Sequence, residues 1–171
     1  AETPVGGSLQ VEAHAAYFRA LLREVPKHYI ALETSRATLA YFCASALDLL
    51  GESDKLDAPR IVDWLYSLQL GPPQDGTAES PDRAGGFRGA PQLGAHHSAD
   101  GAPSTSEYDR AHLAMTYSAL ALLTILGDDL SRVDRKGTLA FVASMQDESG
   151  SFRASTDGES DMRFLFCAAA V

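Results

Sequence analysis

Three polar clusters stand at the heads of apolar runs: Arg36 and Thr38, then Asp109, Arg110 and His112, then Asp161 and Arg163. If those runs are helices lying side by side, their first turns converge on one mouth. Helix N-termini favour anions there. Below the mouth, Phe42, Met115, Tyr117 and Phe164 would give an apolar wall suited to a hydrocarbon. The same polar residues also fit a plainer role, as helix caps and ion pairs between helices.

Other candidates carry less chemistry. His96 and His97 lie in a Gly/Pro-rich stretch with no companion ligand at metal spacing. The run GDDLSRVD (127–134) looks like an aspartate-rich metal motif. Its counterpart GESDKLD (51–57) precedes a helix, so capping is the expected role of both. No phosphate-binding loop, dinucleotide fingerprint or serine nucleophile elbow is present. Cys43 and Cys167 form no CxxC motif, sit in apolar runs and are expected to be buried thiols. No metal site can be assembled from these residues.

Six segments read as the helices that must position the clusters: 12–25, 33–50, 59–69, 108–126, 134–146 and 159–171. Pro26 and Gly51 close the first two, and Thr34 or Ser35 are cap candidates for the second. A Gly-, Pro-, Ser- and Asp-rich loop spans 70–107, and residues 1–11 form a tail. No alternating run suggests a strand, so the expected class is all-α. Amphipathic helices alternate with helices apolar on every side, an outer–inner order that describes hairpins in two concentric rings.

Internal repetition supports rings. LLGESDKLDAPRIVDWLYSLQ (49–69) parallels ILGDDLSRVDRKGTLAFVASMQ (125–146), and each is followed by a Gly-x-Phe turn, GGFRG (85–89) and GSFRA (150–154). Repeated units cannot bury their apolar faces alone. The final run DMRFLFCAAAV (161–171) has neither cap nor polar tail. It reads as a helix of an incomplete α/α barrel, truncated at 171, with further repeats expected beyond it.

The segments ETSRATLAYF (33–42), WLYSLQ (64–69), GGFRG, YDRAHLAMTY (108–117), ILGDDLSRV (125–133) and DMRFLFCAA (161–169) resemble β subunits of protein prenyltransferases, closest to the geranylgeranyl type I branch. The resemblance runs from about residue 12 to the end of the chain. It implies an α/α barrel paired with a helical-repeat α subunit. It also implies transfer of a 20-carbon isoprenoid from geranylgeranyl diphosphate to the Cys of a C-terminal C-a-a-X protein. Zinc would activate the thiol in the complete enzyme, through ligands beyond residue 171. Thr38, His112, Ala114 and Phe164 match positions lining the isoprenoid and the last C-a-a-X residue. Phe42 matches a neighbouring contact, and Arg163 a residue near the peptide carboxylate. A farnesyl- or Rab-specific sibling and a non-catalytic α/α-barrel binding protein remain alternatives. Thr38 stands where the farnesyl branch has Trp.

Composition sets the outer bounds. The 171 residues are 45% hydrophobic and 22% charged, as in ordinary globular protein. A net charge of −9 argues against nucleic acid as a partner. The most apolar stretch, 113–126, is too short to span a membrane. With no signal-peptide pattern at 1–10, a cytoplasmic location is expected.

Overall fold

The helices are started and stopped by local chemistry that recurs along the chain. The computed structural model describes residues 9–71, 85–91 and 109–171. Its helices are α1 (Val11–Arg23), α2 (Arg36–Leu49), α3 (Ala58–Ser67), α4 (Leu113–Ile125), α5 (Arg135–Ser144) and α6 (Met162–Ala170). Short 3₁₀ segments, Lys27–Ser35 and Ser53–Lys55, precede α2 and α3. Among the described residues there is no strand, only isolated bridges at Gln69–Phe87, Gln146–Phe152 and Arg153–Ser160.

α2 and α4 end alike. Gly51 and Gly127 take φ of 73° and 75°, a conformation that glycine adopts without Cβ strain. The Glu52 N–H then donates to the Leu47 carbonyl at 2.8 Å, and the Asp128 N–H donates to the Leu123 carbonyl at 3.0 Å. This paired closure satisfies carbonyls the helix leaves open. The next helices also start alike. Asp57 accepts from the Arg60 N–H at 3.4 Å to cap α3, and Asp134 accepts from the Gly137 N–H at 2.9 Å to cap α5. Both acidic runs are therefore turn and cap residues.

The Gly-x-Phe turns link the hairpins. In the first, the Gly89 carbonyl accepts from the Ala37 N–H at 2.9 Å, and the Phe87 carbonyl accepts from the His112 N–H at 3.1 Å. In the second, the Ala154 carbonyl accepts from the Leu113 N–H at 2.8 Å. Each turn thus closes the N-terminus of an inner helix. Thr116, fully buried on α4, accepts from the Phe87 N–H at 3.0 Å and fixes the first turn in place.

α2 packs on α4 and α4 on α6. Thr38 in the first turn of α2 meets Met115 and Ser118 near the start of α4, while His112 meets Phe164 at the start of α6. Heads therefore meet heads, so the three helices run the same way. Seven side chains of α4 are buried, against Ala15 alone on α1. That is the inner–outer contrast read from the apolar patterns. One buried cluster, including Leu65, Phe87 and Leu122, joins α2, α3 and α4. A second, including Phe141, Leu113 and Phe164, joins α4, α5 and α6.

The helix starts differ from the sequence reading. α2 begins at Arg36 rather than 33, because residues 33–35 continue the 3₁₀ segment. Ser35 occupies its cap position but makes no side-chain cap bond; the Gly89 carbonyl closes that end instead. α4 begins at Leu113 rather than 108 and α6 at Met162 rather than 159, each behind a capping side chain. His96, His97 and most of the 70–107 loop lie outside the described residues.

Candidate functional site

The polar clusters resolve into caps and ion pairs around the helix heads. His112 is the N-cap of α4, its Nδ1 accepting from the Ala114 N–H at 3.2 Å. That bond needs an unprotonated Nδ1. Burial pushes the imidazole below the usual histidine range, partly offset by the Glu159 carboxylate. Asp161 caps α6, accepting from the Arg163 N–H at 2.8 Å and from the Arg163 side chain at 2.6 Å. Those hydrogen bonds hold the Asp161 carboxyl below the usual carboxylate range. Arg36 pairs with Glu33 at 3.2 Å, Arg88 with Asp109 at 3.5 Å, and Arg110 with Asp157 at 3.1 Å.

Equivalent positions on the inner helices line up in rows. The first row is Thr38, Ala114 and Arg163, and the second, one turn deeper, is Tyr41, Tyr117 and Phe166. In the second row the Tyr41 and Tyr117 hydroxyls lie 3.1 Å apart in a hydrogen bond. The Tyr117 ring meets Phe166 edge-on at 5.3 Å. The Tyr41 hydrogen bond and burial push the Tyr117 phenol up to about 12, so the Tyr117 hydroxyl stays neutral at physiological pH. Four residues further along each helix stand small residues, Ser45, Ala121 and Ala170. Phe166 is 59% exposed, so this aromatic surface is open on one side.

The sequence-predicted residues take distinct places in this frame. Thr38 is half-buried, its Oγ1 3.0 Å from the Ser118 hydroxyl and 3.3 Å from the Met115 sulfur. Ala114 touches both core clusters. Phe164 is buried beneath His112, the rings meeting edge-on at 5.8 Å. Arg163 is exposed, bonded to Asp161 and to Glu159 at 3.0 Å, with its guanidinium 5.4 Å from the Phe164 ring centre. Phe42 stands apart from the aromatic row: it is 59% exposed and borders a groove on the α1 side.

Tyr41 and Phe166 had not been singled out from the sequence. Their signal was available, because each stands three residues after a first-row position, on the same helical face. Cys43 and Cys167 are buried as expected, and burial pushes the Cys43 thiol up to about 11. Among the described residues no three His, Cys, Asp or Glu side chains converge to hold a metal. The residues described here therefore do not fit a zinc centre.

The prenyltransferase alpha-alpha toroid domain model matches residues 9–171. This chain belongs to that family. Toroid subunits from two organisms are similar along almost all of it. The geranylgeranyl transferase type-1 subunit beta of Arabidopsis thaliana is 32% identical over 96% of this chain and 43% of its own length. The same-named subunit of Dictyostelium discoideum is 34% identical over 98% of this chain and 50% of its own. The chain spans about half the length of these curated relatives. A solved structure, Candida albicans protein geranylgeranyltransferase-I complexed with GGPP, aligns with a TM-score of 0.73 at 18% identity. It covers 96% of this chain and 46% of that one, a match in fold. Two concentric sets of helices are what a toroid requires. No described helix is long and apolar enough to cross a membrane.

Proposed function

We propose that the chain is the N-terminal portion, residues 12–171 with a preceding tail, of the β subunit of a protein geranylgeranyltransferase type I. In this reading the inner helices are one wall of a tunnel for a 20-carbon isoprenoid diphosphate. The completed enzyme then transfers the isoprenoid to the Cys of a C-terminal C-a-a-X protein. The observation that carries the reading is the row order. Small Thr38 and Ala114 at the helix heads give way, one turn deeper, to the aromatic row Tyr41, Tyr117 and Phe166. Similarity to type-1 β subunits across nearly the whole chain supports it.

Thr38, Phe42, His112, Ala114, Arg163 and Phe164 are the residues assigned to isoprenoid and peptide contacts. Arg163 suits a peptide carboxylate, provided the ligand competes with Glu159 for the exposed guanidinium. An α subunit is the proposed partner and the cytoplasm the proposed location. Zinc would be held by residues other than those described here, and would supply the thiolate nucleophile.

The test pairs the full-length protein carrying this chain with a prenyltransferase α subunit. It receives the 15- and 20-carbon diphosphates together, with a peptide ending Cys-a-a-Leu. The 20-carbon product should dominate, and Thr38→Trp should shift the ratio toward the 15-carbon donor by about 10- to 100-fold. Thr38→Ser, which keeps the hydroxyl facing Ser118, should leave it unchanged. A wild-type preference for the shorter donor would overturn the type I assignment. A folded Thr38→Trp enzyme with the original ratio would remove Thr38 from length selection.

A further inference from the structure

The groove between α1, α2 and the head of α3 shares only Arg36 and Phe42 with the helix-head clusters and assigned contacts above. It encloses about 730 Å³, a volume in the range of small-molecule sites. Leu39, Ala40 and Cys43 of α2 make its floor, with Phe18 and Leu22 of α1 and Trp64 of α3 as walls. The apolar face of α1 is covered only in part, since Ala15 is its one buried residue. Burial alone raises the Cys43 thiol, as expected of an apolar floor.

Five cations line the same groove against one carboxylate, Asp57, whose Oδ1 is taken up in capping α3. Lys55 and Arg19 share the Glu52 carboxylate, and Arg36 is held by Glu33. Arg23, ending α1, and Arg60, in the first turn of α3, also line it. Among the described residues neither guanidinium has an ion pair or hydrogen bond. Two uncommitted guanidinium groups border an apolar slot in a chain of net charge −9. Such local reversal of sign favours an anion, and the slot favours a hydrocarbon.

We propose that this groove binds a single-chain amphiphile with a carboxylate head, its tail on α2 and its head toward the rim carrying Arg23 and Arg60. The site lies on the α1–α3 side of α2, away from the aromatic row that α2 shares with α4 and α6. It does not rest on the transferase reading, with which it shares Phe42 alone among the assigned contact residues.

Trp64, the chain's single tryptophan, lines the groove and reports its occupancy. The full-length protein carrying this chain is titrated with cis-parinaric acid, and the energy transfer lost in its Trp64→Phe variant is followed. Saturable transfer with a roughly micromolar dissociation constant is expected. The neutral methyl ester should bind about 10-fold more weakly, as loss of a charge-assisted contact implies. The double substitution Arg23→Glu/Arg60→Glu, at exposed positions, should weaken the acid by at least about 10-fold with helical content unchanged. Ala40→Phe should abolish binding by filling the floor. Absence of saturable transfer overturns the proposal. So does equal binding of acid and ester, or binding that survives the charge reversal, as occupancy of the toroid interior would.

Discussion

At Gly89 the turn after α3 gives its carbonyl to α2, and at Ala154 the turn after α5 gives its carbonyl to α4. Only the second position carries a Cβ. A Cβ at Gly89 would overlap the Thr34 carbonyl, because the 3₁₀ segment leading into α2 passes directly over the turn. α4 has a capping histidine at its head where α2 has Ser35 with no side-chain cap bond. The head of α2 is closed by backbone pressed against backbone, the head of α4 by backbone carbonyls together with a capping side chain. Similar sequence repeats therefore bear the same substitution differently.

Gly89→Ala is the strongest way to break this comparison. Backbone overlap plus loss of the Ala37 hydrogen bond should cost about 3–4 kcal/mol in urea denaturation. Ala154→Gly should cost about 0.5–1 kcal/mol, the usual entropic penalty of glycine. Equal losses at the two sites would mean that the turns are not differently packed.

The caps come next. His112→Ala should destabilise by about 1–2 kcal/mol, since it removes the acceptor of the Ala114 N–H. Ser35→Ala should stay within about 0.5 kcal/mol of the parent, because Ser35 accepts no cap bond. A large Ser35→Ala effect would place the α2 cap in the side chain after all. The hairpins should behave identically at their far ends. Gly51→Ala and Gly127→Ala each force a left-handed residue at about 1–2 kcal/mol. Neither site has a neighbour within 4 Å to add a clash, so a marked difference between them would contradict the shared closure.

The smallest effect is the pH dependence of the α4 cap. Because the folded His112 value lies below the ordinary 6.5, the unfolded chain takes up the proton first as pH falls. The stability contribution is complete above about pH 6.5 and declines below it, toward the depressed folded value. His112→Asn keeps a cap oxygen but cannot titrate. Its stability profile should therefore be flatter than the parent's between about pH 6.5 and 5. Parallel profiles for the two proteins would show that His112 does not titrate differently in the folded state.

The sequence by itself determined what nearby residues decide. Leu-Gly stops, Asp57 and Asp134 starts and the alternation of apolar patterns each act within a turn or two, so the all-α class and the repeat were legible. So was the capping role of the acidic runs, because the two copies occur in the same place before α3 and α5. Only the tertiary structure decided where α2 begins. Its closing acceptor, the Gly89 carbonyl, lies far along the chain, and a backbone acceptor leaves no residue type to read. The same holds for the row of Tyr41, Tyr117 and Phe166, whose register depends on how three helices dock. It holds also for the groove beside α1, which exists because an amphipathic helix covers less of its neighbour than its pattern allows.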